Sequence, residues 1–475
     1  MAKKFYITTP IYYVNDRPHI GHAYTTIAAD VLARFHRKLG EKVFFLTGTD
    51  EHGAKVAESA KKAGQTPKEF VDEMSELFIL SWRNCNIKYD DFIRTTEERH
   101  VEAVQIFMQK LMDVGALYEG VYEGLYCVAC ERFYTEKELV DGKCPDHLVK
   151  LKLIKERNYF FKLNKYLPDV QALIERDEIL IRPIERKKEV LGLFKQGLQD
   201  FSVSREKVRW GIPLPFDPKH NCYVWVEALQ NYISAIGYGT ASDTYQSWWP
   251  ADVHLMAKDI IKFHAVYWPA LLLAAGEPVP KQIFAHGFFT INKQKMSKTI
   301  GNVIDPNTLV ETYGSDAARY LLLSQFPFGQ DGDIKKDLFT EQYNAHLANS
   351  LGNLVSRTAT LCEKYSVEIS AATVESGKAV KEKVKKHLEL LQFDNALKEI
   401  FGLIYAANKF LDEQAPWKIP AEESERRIEV LRKTVDQIRV IADLLDPFMP
   451  LASQSILRQF SGPTIKKAES LFPRK

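Results

Sequence analysis

His19-Ile20-Gly21-His22 sets two imidazoles three residues apart, just after a short β-rich run (Phe5 to Thr9) and at the start of an apolar stripe of helical period. In the first turn of a helix the backbone N–H groups lack partners and the dipole favours an anion, so two histidines on the same side suit a phosphate. Gly21 lets a flat base lie against the backbone. The plainer alternative, one histidine capping the helix while the other packs, stays open on these four residues. Lys295-Met296-Ser297-Lys298-Thr299 follows a later apolar run, Ile283 to Phe289. Two lysines with no acid between them suit a polyphosphate whose charge must be neutralised transiently; a solvated basic loop is the bland reading. Cys127-x2-Cys130-x13-Cys144-x2-His147 has the two-pair spacing of a closed tetrahedral zinc site. Three thiolates and an imidazole leave no position for a catalytic water, so such a metal is structural.

The elements that must position these groups follow from pattern. Ile20, Tyr24, Ile27, Ala28, Val31, Phe35 and Leu39 recur at helical spacing up to Gly40, and Val43 to Leu46 is a second apolar strand ending at Thr49-Asp50-Glu51-His52-Gly53. Strand, helix and strand with short connections imply a parallel sheet with ligand chemistry at its carboxyl edge. Lys68 to Trp82 and Glu97 to Gly115 read as helices around a strand at Phe92 to Thr95. From about residue 116 to about 220 the pattern breaks into glycines, aromatics, the cysteine cluster and mixed charged segments, which reads as an insertion. Strands at Val253 to Met256 and Ile283 to Phe289, with a helix at Ile260 to Ala275 between them, restore the α/β pattern. After about residue 345 amphipathic helices predict a bundle.

Length and composition set the outer limits. At 475 residues the prior is about three domains, and 45% apolar with 27% charged residues excludes a disordered, fibrous or disulfide-stapled chain. A net charge of +2 advertises no general field for polyanions. The longest apolar stretch, Ala265 to Gly276, contains Pro269 and is too short for a bilayer span. The first residues lack an apolar signal region and a transit-peptide composition, so the expectation is cytoplasmic with no membrane. In a reducing compartment clustered cysteines indicate metal, whereas Cys85, Cys222 and Cys362 read as small buried residues.

The HIGH tetrapeptide after one strand, paired with the KMSKT pentapeptide after another, resembles the two signatures of class I aminoacyl-tRNA synthetases. Thr9-Pro10-Ile11-Tyr12-Tyr13-Val14-Asn15, Thr47-Gly48-Thr49-Asp50-Glu51-His52-Gly53, Tyr223-Val224-Trp225-Val226-Glu227-Ala228, and Ala257-Lys258-Asp259-Ile260 with Phe263-His264 resemble blocks of the methionyl-tRNA synthetases. The cysteine cluster is similar to the zinc knuckle of the bacterial type. The resemblance extends from the N-terminus to at least Lys418. Its second signature ends in Thr299 where serine is also common, and a hydroxyl is kept either way.

The resemblance implies an α/β fold: a class I Rossmann-like parallel-sheet catalytic domain with a zinc-binding insertion, followed by an α-helical anticodon-binding bundle. Its boundaries are 1–115 and 223–291 for the catalytic halves, 116–222 for the insertion, 292–345 for the KMSKS-loop linker and 346–475 for the bundle. It implies catalytic roles for His19, Gly21, His22, Lys295 and Lys298, joined at ATP by Asp259 and Ser297. It implies a methionine pocket of Pro10, Ile11, Tyr13, Trp225, Ala228, Leu229, Tyr232, Ile260, Phe263 and His264, with Asp50 as the ammonium partner. On residue type alone each aromatic reads as ordinary core, since apolar spacing does not distinguish core from pocket. Cys127, Cys130, Cys144 and His147 would hold one structural Zn2+. Asn353 and Arg357, four apart on one helix face, and Trp417, exposed where Pro416 ends a later helix, resemble anticodon contacts; amide, guanidinium and indole are suited to unstacked bases. The implied reaction activates methionine with ATP and Mg2+ to methionyl-adenylate and transfers it to the 3′-terminal adenosine of methionine tRNAs, initiator and elongator. No extra C-terminal dimerisation domain follows the bundle, so a monomer is expected. The rivals are a synthetase for another apolar amino acid, which would commonly need a large editing domain, a tRNA-binding relative without catalysis, and a zinc module that binds nucleic acid.

Overall fold

The computed structural model describes residues 3–127, 132–134, 139–145, 148–296, 302–369 and 377–475. Cys130, His147, Ser297, Lys298 and Thr299 lie outside the described residues. The chain divides into two compact units, Met1–Pro18 with Gly40–Leu80 and Lys88–His286, and His19–Leu39 with Ser81–Ile87 and Gly287–Lys475.

The first unit is built on a six-stranded sheet of β1 (Lys4–Tyr13), β2 (Lys42–Asp50), β3 (Asp91–Arg94), β4 (Leu180–Arg182), β5 (Val253–Ala257) and β6 (Gln282–His286). Their order across the sheet is β3-β2-β1-β5-β6-β4, and every pair is parallel. Near-continuous apolar strands such as Phe5 to Ile7 and Val253 to Met256 suit a sheet covered on both faces. β1 does not close at Thr9-Pro10. It runs on to Tyr13 because the register with β2 shifts between Thr8 and Ile11, and that irregularity holds Pro10, which has no N–H to give to a ladder. Leu180 to Arg182, read from sequence as part of the insertion, pairs with β6 as the edge strand of this sheet. A three-residue strand between helices (Leu163–Glu175 and Ile184–Gln196) carries too little periodicity to be seen in sequence. The rest of the insertion is antiparallel: Leu117–Cys127 pairs with Lys152–Phe161 from Leu117 opposite Phe161 to Tyr126 opposite Lys152. The expected helix from Ile260 to Ala275 is three pieces, a 3-10 turn at Lys258–Ile260, a π-helical turn at Phe263–Tyr267 and an α-helix at Trp268–Ala275. Pro269 offers no N–H to the carbonyl four residues back, so the wider turn before it avoids an unmade bond.

The second unit contains α1 (Ile20–Lys38), α2 (Ser315–Leu323), α3 (Asn353–Lys364), α4 (Phe393–Gln414), α5 (Ser424–Leu445) and α6 (Pro450–Gln459). The helical bundle expected beyond residue 345 is present, and the apolar stripe Ile400, Phe401, Ile404 on α4 and Leu431, Val435, Ile438, Ile441 on α5 is its buried face. The single strand expected from Ile283 to Phe289 is two. β6 stops at His286, and Phe289–Ile291 pairs with Gln294–Lys295 and Gly332–Ile334 in a separate small sheet. The break falls at Gly287, where a Cβ would lie 2.2 Å from the backbone of Gln330, so a side chain there would push the two segments apart. Asn292 and Lys293, both at positive φ, turn the hairpin that leads to Lys295.

Candidate active site

His19 is the N-cap of α1, and the two histidines form a reciprocal box. His19 Nδ1 accepts the Gly21 N–H at 3.0 Å and His22 Nδ1 accepts the His19 N–H at 3.3 Å, with imidazoles in place of the usual serine and glutamate. The rings stack with centroids 3.8 Å apart. Burial, and then the neighbouring His19, hold the His22 imidazole well below its ordinary range, so His22 is neutral at pH 7. An Nδ1 that accepts from a backbone amide carries no proton, which puts the proton of each neutral ring on Nε2. The pair therefore offers two N–H donors without a net charge. Capping and ligand binding, alternatives in the sequence, are compatible in this geometry. Gly21 is needed first by the cap, since a Cβ there would lie 2.8 Å from the His19 ring.

In the first unit the expected pocket residues fall on three neighbouring elements. Ile11 and Tyr13 end β1, and Tyr13 lies opposite Asp50, the last residue of β2. Pro10, Ile11, Tyr13 and Asp50 are half-buried. Trp225 and Ala228 to Leu229 lie on the short helix Val224–Leu229, and Tyr232 on the turn Asn231–Ser234. The half-buried Trp225 ring stacks on Phe263 at 4.1 Å and 10°. Tyr232 and His264 are buried, with the Tyr232 hydroxyl 2.7 Å from His264 Nε2 and His264 Nδ1 2.9 Å from the Ile260 carbonyl. A carbonyl only accepts, so Nδ1 carries the proton, and the Tyr232 hydroxyl donates to Nε2. Burial pushes the His264 imidazole down to about 4, which keeps the pair neutral. These side chains are aromatic and uncharged apart from Asp50, which ends β2 opposite Tyr13 of β1. Polarizable walls suit a thioether, and a carboxylate suits an ammonium.

Residues 5–152 and 149–359 match the family model described as tRNA synthetases class I (M), and 366–470 match that of the anticodon binding domain of methionyl tRNA ligase. The chain belongs to the class I methionyl-tRNA synthetases. The methionine–tRNA ligase of Caldanaerobacter subterraneus subsp. tengcongensis is 45% identical over 100% of this chain and 79% of its own length. That of Nostoc sp. is 44% identical over 96% of this chain and 90% of its own length. Mycobacterium tuberculosis methionyl-tRNA synthetase in complex with methionyl-adenylate superposes with a TM-score of 0.93 at 37% identity, over 99% of this chain and 100% of that one.

Within this synthetase the Thr-Gly-Thr-Asp-Glu-His-Gly block (Thr47 to Gly53) has a second purpose that sequence reasoning did not assign. Glu51 is fully buried and accepts from Arg94 Nε at 2.7 Å and Thr49 Oγ1 at 2.7 Å. His52 Nδ1 lies 2.9 Å from Oε1 of the buried Glu227, and Trp210 Nε1 donates to the Glu51 carbonyl at 2.6 Å. Burial lowers the His52 imidazole, but the Glu227 and Glu51 carboxylates outweigh it and leave it raised. These bonds clamp the chain on both sides of Asp50 and tie it to the Trp225 helix. The signal available in sequence was a carboxylate inside the apolar run Tyr223 to Leu229, which a buried partner alone makes tolerable. Arg205, buried with its guanidinium 4.0 Å from the Tyr223 ring, lines a small cavity with His52, Trp210 and Glu227 and was also missed.

Asp259 is exposed on the 3-10 turn after β5. Lys295 ends the Gln294–Lys295 strand, so it starts from a hairpin and not from a free loop. On α3, Asn353 is exposed, and Arg357 pairs with Asp412 at 2.8 Å while its guanidinium sits 5.1 Å over the Trp417 ring. Ala415 at φ 41 turns the chain after α4 into the 3-10 turn Pro416–Lys418, leaving the Trp417 ring 38% exposed. Arg357 and Trp417, far apart in sequence, are thus brought together. Cys127 and Cys144 are fully buried in a small cluster with Tyr134. Among the described residues no group of three or more histidine, cysteine or acidic side chains could hold a metal, and none of the described helices is long and apolar enough to cross a membrane.

Proposed function

We propose that this chain is a methionine–tRNA ligase that forms methionyl-adenylate from methionine and ATP and transfers the methionyl group to the terminal adenosine of methionine tRNAs. The observation that carries the reading is the neutral Tyr232–His264 pair beside the Trp225–Phe263 stack, a surface fitted to a thioether side chain, with Asp50 available to the ammonium. The methionine carboxylate attacks the α-phosphorus of ATP in line and pyrophosphate leaves; a ribose hydroxyl of the tRNA end then attacks the activated carbonyl and AMP leaves. No side chain becomes covalently attached, so orientation and charge neutralisation carry the rate. His19 and His22 present Nε2–H donors to phosphate oxygens, and Asp259, Lys295, Ser297 and Lys298 complete the nucleotide contacts. Magnesium accompanies ATP, neutralising charge on its phosphates.

Cys127, Cys130, Cys144 and His147 are read as one closed zinc site. Its support is that Cys127, Cys144 and Tyr134 form a cluster too small to hold a hairpin by apolar burial, which a metal bound by thiolates would do. Asn353, Arg357 and Trp417 are read as the surface for the unstacked anticodon bases. The test is acceptance of labelled methionine by a transcript with anticodon CAU in the presence of ATP and magnesium. Formation of methionyl-tRNA supports the reading; no acylation by folded, adenylate-forming protein would refute the transfer step.

A further inference from the structure

We propose that His52 and Glu227 form a proton-dependent pin between the Thr47 to Gly53 block and the short helix Val224–Leu229, so that methionine is held more tightly below the pH at which the pair loses its proton than above it. The inference rests on the reading of the methionine pocket given above, because that helix carries Trp225, Ala228 and Leu229. Its sequence explains why it needs an attachment. Six residues make fewer than two turns, too few to hold a helix without tertiary support. Tyr223 at its N-cap gives no side-chain hydrogen bond. Gln230 and Asn231 turn back on the helix's own carbonyls: Gln230 Nε2 donates to that of Val226 at 3.1 Å and Asn231 Nδ2 to that of Ala228 at 2.6 Å. These bonds close the helix on itself without fixing it to a neighbour.

Glu227 supplies the attachment. Its side chain is fully buried, Oε1 lies 2.9 Å from His52 Nδ1, and Oε2 has no hydrogen-bond partner. Among the described residues His52 is the one ion-pair partner of this carboxylate. A buried carboxylate without a cation is costly. The contact is therefore strong while His52 is protonated, and weaker once a neutral ring gives a buried anion a single N–H. The block on the other side of the contact does not depend on that proton. The Gly53 N–H donates to the Trp210 carbonyl at 3.0 Å, Trp210 Nε1 to the Glu51 carbonyl at 2.6 Å, and the Glu51 N–H to Thr95 Oγ1 at 2.9 Å. The block is the anchor, and the helix that walls the pocket is the part that shifts when the pin weakens.

The groups that face His52 from each neighbouring element decide the sign. Burial lowers its imidazole, but Glu227 and then Glu51 outweigh that and leave it raised. Glu51 is itself paired with Arg94 at 2.7 Å. From the helix Glu98–Asp113 comes His100, whose Nδ1 lies 2.8 Å from Ser234 Oγ. Burial, then His52 and Arg99, push His100 down to about 3, so it stays neutral. Arg205 lines the same small cavity, with Nη1 on Ser202 Oγ at 2.9 Å and on the Ser204 carbonyl at 2.7 Å. Cys222 lines it too, and burial, followed by Glu227, raises its thiol, so it is uncharged. His52 is thus the group here that changes charge above neutrality: the pin is whole below about 6.5 and weakens as pH rises through the raised folded value. His52 and Glu227 are positioning residues, acting on methionine through the helix.

The test is KM for methionine and kcat in ATP–pyrophosphate exchange at pH 6 and pH 9, for wild type, Glu227→Gln and Trp225→Ala. Glutamine keeps the shape of Glu227 and leaves no buried charge at the position. Loss of the methionine ammonium proton at high pH acts on every protein alike, so the quantity read is the ratio of wild type to Glu227→Gln at each pH. From pH 6 to pH 9 the wild-type KM should rise about fivefold more than that of Glu227→Gln, the low end of typical coupling between sites. The pH profile of kcat at saturating methionine should be the same in both, as for a loss of uniform binding. A second measurement uses wild type in its native fold. The His52 imidazole resonance, assigned by its loss in His52→Asn, should titrate about 0.7 pH unit higher with saturating methionine, because a fivefold preference for the protonated state is reciprocal. If Trp225→Ala leaves KM for methionine unchanged, the pocket reading itself fails and the effect of the pin with it. If Trp225→Ala raises KM while the ratio of wild type to Glu227→Gln is the same at both pH values, or methionine leaves the His52 titration in place, the pocket reading stands and the pin is refuted.

Discussion

In the proposed nucleotide site the two histidines of the α1 cap would act through donors and not through charge. Each Nδ1 is occupied by a backbone amide and His22 is held neutral by burial, which leaves the ring protons on Nε2. His22→Ala removes one oriented contact to the transferring phosphate and should slow adenylate formation by about two orders of magnitude. His22→Gln, which can still present an N–H, should retain more activity than His22→Ala, and KM for methionine should barely change in either. Pyrophosphate exchange within a few-fold of wild type in His22→Ala would remove His22 from the chemistry. The buried imidazoles also fix two opposite pH responses. His264 has its folded pKa lowered to about 4, so its contribution is whole above the unfolded value near 6.5 and is lost as pH falls toward 4. Thermal melts should show wild type losing stability over that window more steeply than His264→Gln. His52 is raised by Glu227, so its contribution is present below about 6.5 and disappears as pH rises through the raised folded value. The stability lost in His52→Asn should therefore be larger at pH 6 than at pH 9, and a difference independent of pH would contradict the ion pair.

At the scale of elements, the zinc reading predicts a local effect. One equivalent of zinc per chain should survive dialysis, and Cys144→Ser should make the segment around 117–160 sensitive to protease while folded catalytic strands persist. Protein free of zinc after gentle purification would contradict this. The elements also separate what composition and period reveal from what they do not. The helix from Ile20, the strand from Val43 and the apolar faces of α4 and α5 were legible because each repeats a period over many residues. β1 beyond Thr9 was not, because Pro10 signals a stop unless an irregularity in the ladder admits it. Leu180 to Arg182 was not, because three residues have no period. The π-helical turn at Phe263 comes from one missing N–H two residues into the following helix, which no apolar pattern records. The expected pocket residues came from the resemblance to family blocks, which says nothing of their polarity. That the Tyr232 hydroxyl donates to His264, and that Glu51 and His52 brace Asp50, depends on which groups meet across the fold.

For the whole molecule, the sequence order of domains and the compact units differ in one instructive way. The reading from sequence kept residues 1–115 together, whereas α1 and the segment Ser81–Ile87 cluster with the C-terminal half. Polar contacts tie both segments there: the fully buried Asp30 on α1 faces Arg319, and the half-buried Asn84 meets Asn307 at 2.8 Å, contacts that hydrophobic periodicity does not report. Trp417→Ala should lower aminoacylation efficiency at least tenfold, since stacking of one base is worth about 1–3 kcal/mol and about 1.4 kcal/mol is a factor of ten. Charging assays on CAU and altered transcripts check it; equal charging of both by wild type would contradict it. The central claim, that this chain activates methionine and no other amino acid at comparable rate, is tested most directly by ATP–pyrophosphate exchange with each of the twenty amino acids in turn. Methionine should drive rapid exchange and the remaining nineteen little or none; equal or faster exchange with leucine, isoleucine or cysteine would contradict the account.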